Sequence, residues 1–249
     1  MFLKLLKHEY KYIIKSFTLV YALFFGVTII LKIFIHMAIG GSSGSAFNTL
    51  AGIFAVTWYI FMLIIGLMTI TNNARRFKKS MFGPEGYLTN TLPVSTSSNI
   101  IAKIVAGATN YVVSYIAVCL TINILIIGIK GSNKVIKGIK EGIGEAFTDH
   151  FDVVFAFFFC STFVYLAFLL FCYMLTSLSS MIGGSKAKSV LLGIGLWIAN
   201  IFVFTMLVEM FDGTSAAGAM FGIGFFYMII AGIEFAIVHN IVKNHLNLQ

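Results

Sequence analysis

The chain has 249 residues, of which 59% are hydrophobic and only 10% are charged. These proportions leave too few polar side chains to cover a water-facing surface, so they exclude an ordinary soluble domain. The formal net charge of +8 could suit a nucleic-acid-binding protein. The charges, however, lie at the ends of apolar runs, where anionic lipid headgroups explain them better. We therefore expect membrane lipids, and not nucleic acid, as partners.

Six apolar runs of about 20 residues or more could each cross a hydrocarbon layer of about 30 Å as a helix. A β-barrel would need short strands of alternating hydrophobicity, whereas Phe155–Phe171 is apolar on every face. The sequence therefore predicts an all-α integral membrane protein that forms a single transmembrane domain over residues 1–249. The predicted spans are roughly 17–39, 50–71, 100–129, 151–178, 189–210 and 216–239.

The segment 1–16 carries lysines at helical spacing, opposed by apolar side chains. This pattern predicts an amphipathic interfacial helix whose cationic face lies in the headgroup plane. A plain basic flank that only fixes the orientation is the alternative. The lysines concerned are Lys4, Lys7, Lys11 and Lys15.

With six spans, both ends of the chain and the loops after the second and fourth spans lie on the same side of the membrane. Most lysines and arginines fall in these segments. Because cytoplasmic loops are enriched in these residues, we expect both termini in the cytoplasm of a multi-pass protein of the bacterial cell membrane. The segment 130–150 is then extracellular. It has a weakly amphipathic helical pattern, and its lysines run against the general charge bias.

The cytoplasmic segment 72–99 is basic at its start and contains both prolines of the chain, Pro84 and Pro93. These breakers limit a helix over 85–91 to about two turns. Its charged, aromatic and aliphatic side chains would suit docking into a groove on a partner protein. A solvated loop without a partner is the alternative. Ser95–Ser98 supplies N-cap residues for the next helix, with Thr96 or Ser97 expected as the cap.

The sequence offers little that is typical of catalysis. There is no GxxxxGK[ST] phosphate-binding loop and no HExxH zinc motif, and the one GxSxG string, Gly40–Gly44, belongs to a Gly/Ser-rich loop between two apolar runs and does not follow a strand as a nucleophile elbow would. The three cysteines are scattered within predicted spans, which argues against a disulfide framework and against a zinc site. We expect no catalytic residue and no metal in this chain.

Apart from Asp152 at the very start of the fourth predicted span, two acidic residues fall within predicted spans, Glu209 and Glu234. Charged residues inside a membrane are often functional, so Glu234 could serve cargo or proton movement, or form a structural ion pair with Lys103, Lys243 or a partner helix. The last span also carries small residues at spacings suited to close helix contact, within the chain or between two chains. These are Gly218, Gly222 and Gly232.

Two stretches resemble a bacterial subgroup of the ABC-2 type permeases, the membrane subunits of ATP-binding-cassette exporters. They are LLKHEYK at Leu5–Lys11 and RFKKSMFGPEGYLTNTLPVS at Arg76–Ser95. The resemblance implies an interfacial connecting helix at the N-terminus and a coupling helix in the first inner loop that fits a cleft on a separate ATPase subunit. The residues implied in that contact are Pro84, Glu85, Gly86, Tyr87, Leu88 and Thr89.

The resemblance further implies that a second permease copy, or a related permease, completes the transporter. ATP and Mg²⁺ would bind to the partner ATPase, and this chain would hold no cofactor. The cargo would be a peptide, a lipid or a drug. Two alternatives from other classes are an integral-membrane enzyme, which needs polar residues converging at one depth, and a stand-alone carrier or channel, which needs no ATPase.

Overall fold

A computed structural model describes residues 2–39, 45–83, 85–86, 94–127, 150–182 and 186–244. Within these residues the chain is all-helical, and it contains six helices long and apolar enough to cross a membrane. The prediction of six spans is confirmed in this respect. The helices are α1 (Phe2–Ile39), α2 (Ser45–Met81), α3 (Thr96–Ile126), α4 (Phe151–Ile182), α5 (Lys186–Met210) and α6 (Ala216–Asn244).

Helix α1 joins the lysine-bearing N-terminal segment and the first apolar run into one helix of 38 residues. The segment between Phe2 and Phe25 contains neither glycine nor proline, the residues that most readily interrupt a helix. No break therefore separates residues 1–16 from the first span. A position of the first turns in the headgroup plane stays a prediction.

Helix α2 has 37 residues and continues to Met81, well beyond the predicted end of its span at residue 71. The first strong breaker after the apolar run is Gly83-Pro84, so polarity alone does not end the helix at Asn72. At about 1.5 Å per residue its length is about 55 Å, which exceeds a hydrocarbon core of about 30 Å. The basic start of the 72–99 segment is thus the last part of α2.

Helix α3 begins at Thr96 because Ser95 caps it. The Ser95 Oγ accepts a hydrogen bond from the Ser98 backbone N–H at 3.2 Å, and the two serine hydroxyls lie 2.8 Å apart. A hydroxyl bonded to the third residue of the helix is the usual N-cap arrangement. The expectation that Thr96 or Ser97 would be the cap is therefore wrong by one or two positions.

The helices contribute to two compact units. One unit contains the described residues of Lys7–Thr69 and Thr109–Glu145. In it, aromatic rings of α1 pack on α2: Phe24 stacks on Trp58 with ring centroids 6.0 Å apart, and Phe34 stacks on Phe54 at 5.1 Å. Offset ring contacts of this kind add to the packing of apolar helices.

The other unit contains the described residues of Met1–Leu6, Ile70–Ala108 and Ala146–Gln249, and here α6 packs chiefly against α4. The buried residues of α6 recur at every seventh position in two rows. Such a repeat keeps one face of a helix against its partner. The first row is Ala217, Gly224, Ala231 and Val238; the second is Tyr227, Glu234 and Ile241.

Gly224 marks the closest approach in this seam. A Cβ on Gly224 would lie 2.7 Å from the Phe159 ring and 3.1 Å from the Cα of Cys160, both in α4. Because lipid provides no hydrophobic driving force between helices, close backbone approach at a small residue is what packs them. Gly224 was not among the glycines singled out from the sequence. It lies in a seven-residue repeat of small residues, Ala217, Gly224 and Ala231, which could have identified it.

The glycines singled out from the sequence lie beside the seam. Gly218 is exposed and donates its N–H to Ser215 Oγ at 3.2 Å, a capping contact at the start of α6. Gly222 faces the Phe211 ring, and no described heavy atom lies within 4 Å of a Cβ built on Gly232. The nearest described atoms to Gly222 thus belong to the residue that directly follows α5, and close contact of these glycines with another helix stays a prediction. A role in pairing between chains stays a prediction.

We predict that Gly224→Ala destabilises the chain, by about 1–3 kcal/mol, because the added methyl group meets the Phe159 ring and the α4 backbone. Gly232→Ala is the matched control on the same helix, and we expect no loss, since its methyl group meets open space and alanine favours the helix. Thermal unfolding of both variants in detergent measures the difference. Equal melting temperatures would contradict the seam at Gly224.

Candidate functional site

The region that the sequence singles out is the α2–α3 connection, residues 82–95. The structure describes its two ends and, between them, Glu85 and Gly86. The other four residues implied in partner contact lie outside the described residues: Pro84, Tyr87, Leu88 and Thr89. The short helix expected over 85–91 therefore stays a prediction, and the described contacts concern how the connection is attached to the helices.

The last turns of α2 are held by aromatic packing on α4. The Phe77 ring stacks on Tyr173 with centroids 4.1 Å apart and an interplanar angle of 8°. Both side chains are almost completely buried, at 0% and 1% exposure. Burial of two aromatic rings together with a stacked contact is among the stronger apolar interactions available to a helix pair. The end of α2 is therefore fixed to α4.

A polar contact one turn earlier joins three helices. Asn73 Nδ2 of α2 donates to the Tyr165 hydroxyl of α4 at 3.4 Å, and that hydroxyl donates to the Gly107 carbonyl of α3 at 3.0 Å. A Cβ on Gly107 would lie 2.7 Å from the Leu169 Cδ2 methyl group and 3.3 Å from Asn73 Nδ2, so a larger residue here would require these side chains to shift. The sequence analysis missed Tyr165 and Tyr173, whose spacing of eight residues places them on one face of α4.

The described part of the connection is attached by an ion pair with two cations. Arg76 Nη1 lies 2.6 Å from Glu85 Oε2, and Lys79 Nζ lies 2.9 Å from Glu85 Oε1. The two basic residues are three positions apart on α2 and so share a face of the helix. Each carboxylate oxygen thus receives one charge-assisted hydrogen bond, an arrangement that fixes the carboxylate in position as well as attracting it.

Gly83 allows the chain to turn back over the end of α2. A Cβ at this position would lie 2.6 Å from the Lys79 carbonyl oxygen, a contact that no side chain tolerates without a backbone shift. The Gly86 N–H then donates to the Gly83 carbonyl at 2.8 Å and closes the turn. The turn brings Glu85 back to the basic face of α2, which explains why a glycine precedes Pro84.

The electrostatics of this ion pair favour the charged form of Glu85. The hydrogen bonds from Lys79 and Arg76, together with their positive charges, lower the pKa of Glu85 from its ordinary value of 4.5. Lys79 is largely exposed, whereas the Arg76 side chain is only 9% exposed. The Glu85 side chain is itself 36% exposed, so each pair contributes modestly to stability, and the two cations together hold the carboxylate at the end of α2.

The two helix ends that flank the connection also touch each other. Asn99 Nδ2 of α3 donates to the Met81 sulfur of α2 at 3.7 Å, and both side chains are buried. A thioether is a weak acceptor, so this contact contributes more through packing than through hydrogen bonding. The connection therefore begins and ends on helices that are already in contact.

The lysines of the N-terminal stripe are all exposed: Lys4, Lys7, Lys11 and Lys15. Exposed amino groups on one side of α1 are what an interfacial position requires. The structure describes the stripe as part of a long helix and contains no membrane, so the contact of these lysines with headgroups stays a prediction.

The two carboxylates predicted within spans have opposite environments. Glu209 is exposed in the last turn of α5. Glu234 is 5% exposed in the α6 seam, and its Oε2 has no hydrogen-bond partner among the described residues. An unpartnered carboxyl oxygen in an apolar seam is costly, so the structure gives no support for a satisfied ion pair at this oxygen. The role of Glu234 stays open between a partner contact and cargo or proton movement.

The part of the chain that the structure describes contains no candidate metal site and no disulfide. No group of three or more His, Cys, Asp or Glu residues there could hold a metal ion. The three cysteines, Cys119, Cys160 and Cys172, are free and half-buried. The contacts that the described residues do show around the α2–α3 connection are aromatic packing, hydrogen bonds and one carboxylate with two cations.

Comparison of the chain with protein-family models, with curated proteins and with solved structures gives no match in any of the three. Interpretation of the α2–α3 connection therefore depends on its residues and contacts.

We predict that Glu85→Gln loosens the turn at Gly83–Gly86 at neutral pH. Because the folded pKa of Glu85 is lowered, its contribution is complete above the unfolded value and disappears as the pH falls through the folded value, that is, below about pH 4.5. Hydrogen exchange at the Gly86 amide should be faster by about twofold to fivefold at pH 7, the effect of ~0.5–1 kcal/mol for a partly exposed pair. As the pH falls further below 4.5, the difference in exchange between wild type and variant should shrink and finally disappear.

Lys78→Gln is the control for this experiment, since Lys78 is exposed on the same helix and outside the ion pair. We expect it to leave the exchange of Gly86 unchanged. A difference between Glu85→Gln and wild type that stays the same down to the lowest pH at which the chain remains folded would contradict the electrostatic origin of the attachment.

Proposed function

We propose that this chain is the permease subunit of an ABC-2 type exporter, driven by a separate ATPase subunit that docks on the α2–α3 connection. The proposal places both termini and residues 72–99 in the cytoplasm of a bacterial cell and residues 130–150 outside. The chain itself would carry no catalytic residue and no cofactor. ATP and Mg²⁺ would be bound by the partner subunit.

The observation that carries the proposal is the attachment of Glu85 and Gly86, the described residues in the middle of the α2–α3 connection, to the end of α2. A docking element can move helices only if force applied to it does not dissipate in a flexible linker. Here Glu85 is bonded to Arg76 and Lys79, and Phe77, in the same turns of α2, is stacked on α4. A displacement of Glu85 would therefore be transmitted directly to α2 through the ion pair. It would be transmitted from α2 to α4 through the Phe77–Tyr173 contact.

The mechanism follows from this attachment. Closure of the ATPase partner would displace the connection, and α2 and α3, which flank it, would move with it. The Asn73–Tyr165–Gly107 contact joins these helices to α4, so the three would tilt together. Residues 84–89 would supply the docking side chains, and Arg76 would keep the docked segment aligned with α2.

A second permease copy, or a related permease, is part of the proposal. Helix α5 presents large apolar side chains outward, among them Trp197, Ile198 and Phe202, which are more than half exposed. In a membrane such a face can contact lipid or another helix equally well. The exposed position of Gly232 on α6 is compatible with close contact to another chain.

We predict that a cysteine placed at Lys78 is reached by a membrane-impermeant maleimide only after the cells are permeabilised, whereas one at Asp212 reacts in intact cells. Both positions are exposed, and an odd number of spans separates them. Labelling is measured in a background from which the three native cysteines have been removed. Reaction of position 78 in intact cells would place the α2–α3 connection outside and reject the proposed docking role.

We predict that the double variant Tyr87→Glu and Leu88→Glu abolishes co-purification of an ATPase with the tagged chain, because two carboxylates oppose insertion of an aromatic and an aliphatic side chain into a groove. Membrane insertion should be unchanged. The ATPase is identified by mass spectrometry as a protein with a GxxxxGK[ST] motif. The purified chain alone should hydrolyse no ATP.

Asp212→Lys is the control for this variant, since it changes the charge of an exposed residue in the α5–α6 turn, at the opposite end of the proposed bundle. It should leave co-purification intact. Hydrolysis of ATP by the isolated chain, or retention of the ATPase by the double variant, would contradict the proposal.

A further inference from the structure

Two of the six residues that the resemblance implies in partner contact, Glu85 and Gly86, make polar contacts within the chain. Both oxygens of the Glu85 carboxylate are in ion pairs, Oε2 with Arg76 Nη1 at 2.6 Å and Oε1 with Lys79 Nζ at 2.9 Å. Gly86 is buried, and its N–H donates to the Gly83 carbonyl at 2.8 Å. The polar groups through which these two residues could bind another protein are thus already used within the chain.

The first residue after α2, Phe82, is held by a hydrogen bond and by aromatic packing. Its N–H donates to the Lys78 carbonyl at 2.9 Å, which continues the hydrogen bonding of α2 by one residue. Its ring lies against Phe77 with centroids 6.1 Å apart and an interplanar angle of 66°, an edge-to-face contact that aromatic pairs favour. Because Phe77 is itself stacked on Tyr173 of α4, the start of the turn is fixed to two helices.

The far end of the turn is held by the two ion pairs of Glu85. Arg76 and Lys79 are three positions apart, so they project from the same face of α2. The Arg76 side chain is 9% exposed, whereas those of Lys79 and Glu85 are 59% and 36% exposed. The carboxylate therefore lies between a guanidinium that is held in place by burial and an accessible ammonium group. Two charge-assisted hydrogen bonds to different atoms fix the orientation of the carboxylate as well as its distance from α2.

A turn that is fixed at both ends gives the chain a defined direction where it leaves Gly86. Phe82 holds the first residue of the turn, and Glu85 holds the last but one. Ordering a loop when it binds another protein costs free energy, and contacts that order the loop beforehand remove part of this cost. The contacts of Phe82 and Glu85 therefore favour the docking of the segment that follows, without a need to touch the partner.

We propose that Glu85 is a positioning residue and not a partner contact: together with Arg76 and Lys79 it forms a latch within the chain that presents the segment after Gly86 to the ATPase subunit. This inference rests on the proposed function and narrows it, because within the range 84–89 the carboxylate of Glu85 then takes no part in docking. Arg76 and Lys79 act on docking only through Glu85.

Exchange of charges within the latch separates positioning from direct contact. Glu85→Lys replaces two attractions, to Arg76 and Lys79, by two repulsions, and we expect the tagged chain to retain at least about fivefold less ATPase. Adding Lys79→Glu again places one carboxylate between two cations, and both exchanged positions are partly exposed. We expect retention in this double variant to return to within about twofold of the wild-type level, since the same number of attractive pairs forms.

The matched control combines Glu85→Lys with Lys78→Glu, which gives the same net charge in the same turn of α2. Lys78 is exposed and outside both ion pairs, so a carboxylate at this position is not part of the latch. We expect retention of the ATPase to stay as low as in Glu85→Lys alone. Retention is measured by quantitative mass spectrometry as the amount of ATPase relative to the tagged chain.

Hydrogen exchange at the Gly86 amide reports the state of the latch in the purified full chain, without any partner. We expect exchange at pH 7 to be faster by about fivefold or more in Glu85→Lys, because the two repulsions oppose closure of the turn. Addition of Lys79→Glu should return the rate toward that of the wild type, and addition of Lys78→Glu should not.

A wild-type chain that retains no ATPase would reject the proposed function, and with it the docking role of the latch. Where the wild-type chain does retain it, undiminished retention by Glu85→Lys would overturn the latch alone, as would equal restoration by Lys78→Glu. Low retention in the Lys79→Glu double variant, although its Gly86 exchange has returned to the wild-type rate, would show that the partner contacts the carboxylate at position 85 directly. Gly86 exchange that stays fast in this variant would show that these charges do not close the turn.

Discussion

The requirement that polar groups find hydrogen-bond partners in the absence of water governs this structure. It forces the backbone of every described span into a helix, and it makes hydroxyl side chains bond to carbonyls in their own helix, as Thr28 and Thr69 do. The same requirement explains the tyrosine contacts that join helices. Among the described residues four buried side-chain atoms have no partner, and each is costly in such surroundings. They are Trp58 Nε1, Asn99 Oδ1, Asn110 Nδ2 and Glu234 Oε2.

The attachment of the α2–α3 connection combines contacts of different kinds at one end of α2. Aromatic stacking fixes the helix to α4, a tyrosine hydroxyl links it to α3 through the Gly107 carbonyl, and a carboxylate with two cations returns the connection to the helix. Screening by salt weakens only the last of these. At high salt the end of α2 should therefore stay packed on α4 while the Glu85 ion pair that holds the connection to α2 is weakened.

The sequence predicted the number and type of the helices because a run of about 20 apolar residues has few alternatives in a membrane. It did not predict where α2 ends. The loss of hydrophobicity at Asn72 does not interrupt the backbone hydrogen bonds of a helix, whereas Gly83-Pro84 does interrupt them. Gly218 and Gly222 were singled out because their GxxxG spacing is typical of helix contacts. Gly224 was not, because identifying its row as the contact face of α6 requires knowing which face α4 covers.

The seven-residue repeat in α6 has a consequence for how the chain can move. An ideal helix drifts by about 20° for every seven residues relative to such a repeat, so two helices that keep contact along the rows through Gly224 and Glu234 must coil gently around each other with a left-handed twist. Rotation of α6 about its own axis would then separate all these contacts at once. Helices α4 and α6 should therefore move together as one rigid body. A conformational change of the chain would then occur mainly in less buried segments such as α5.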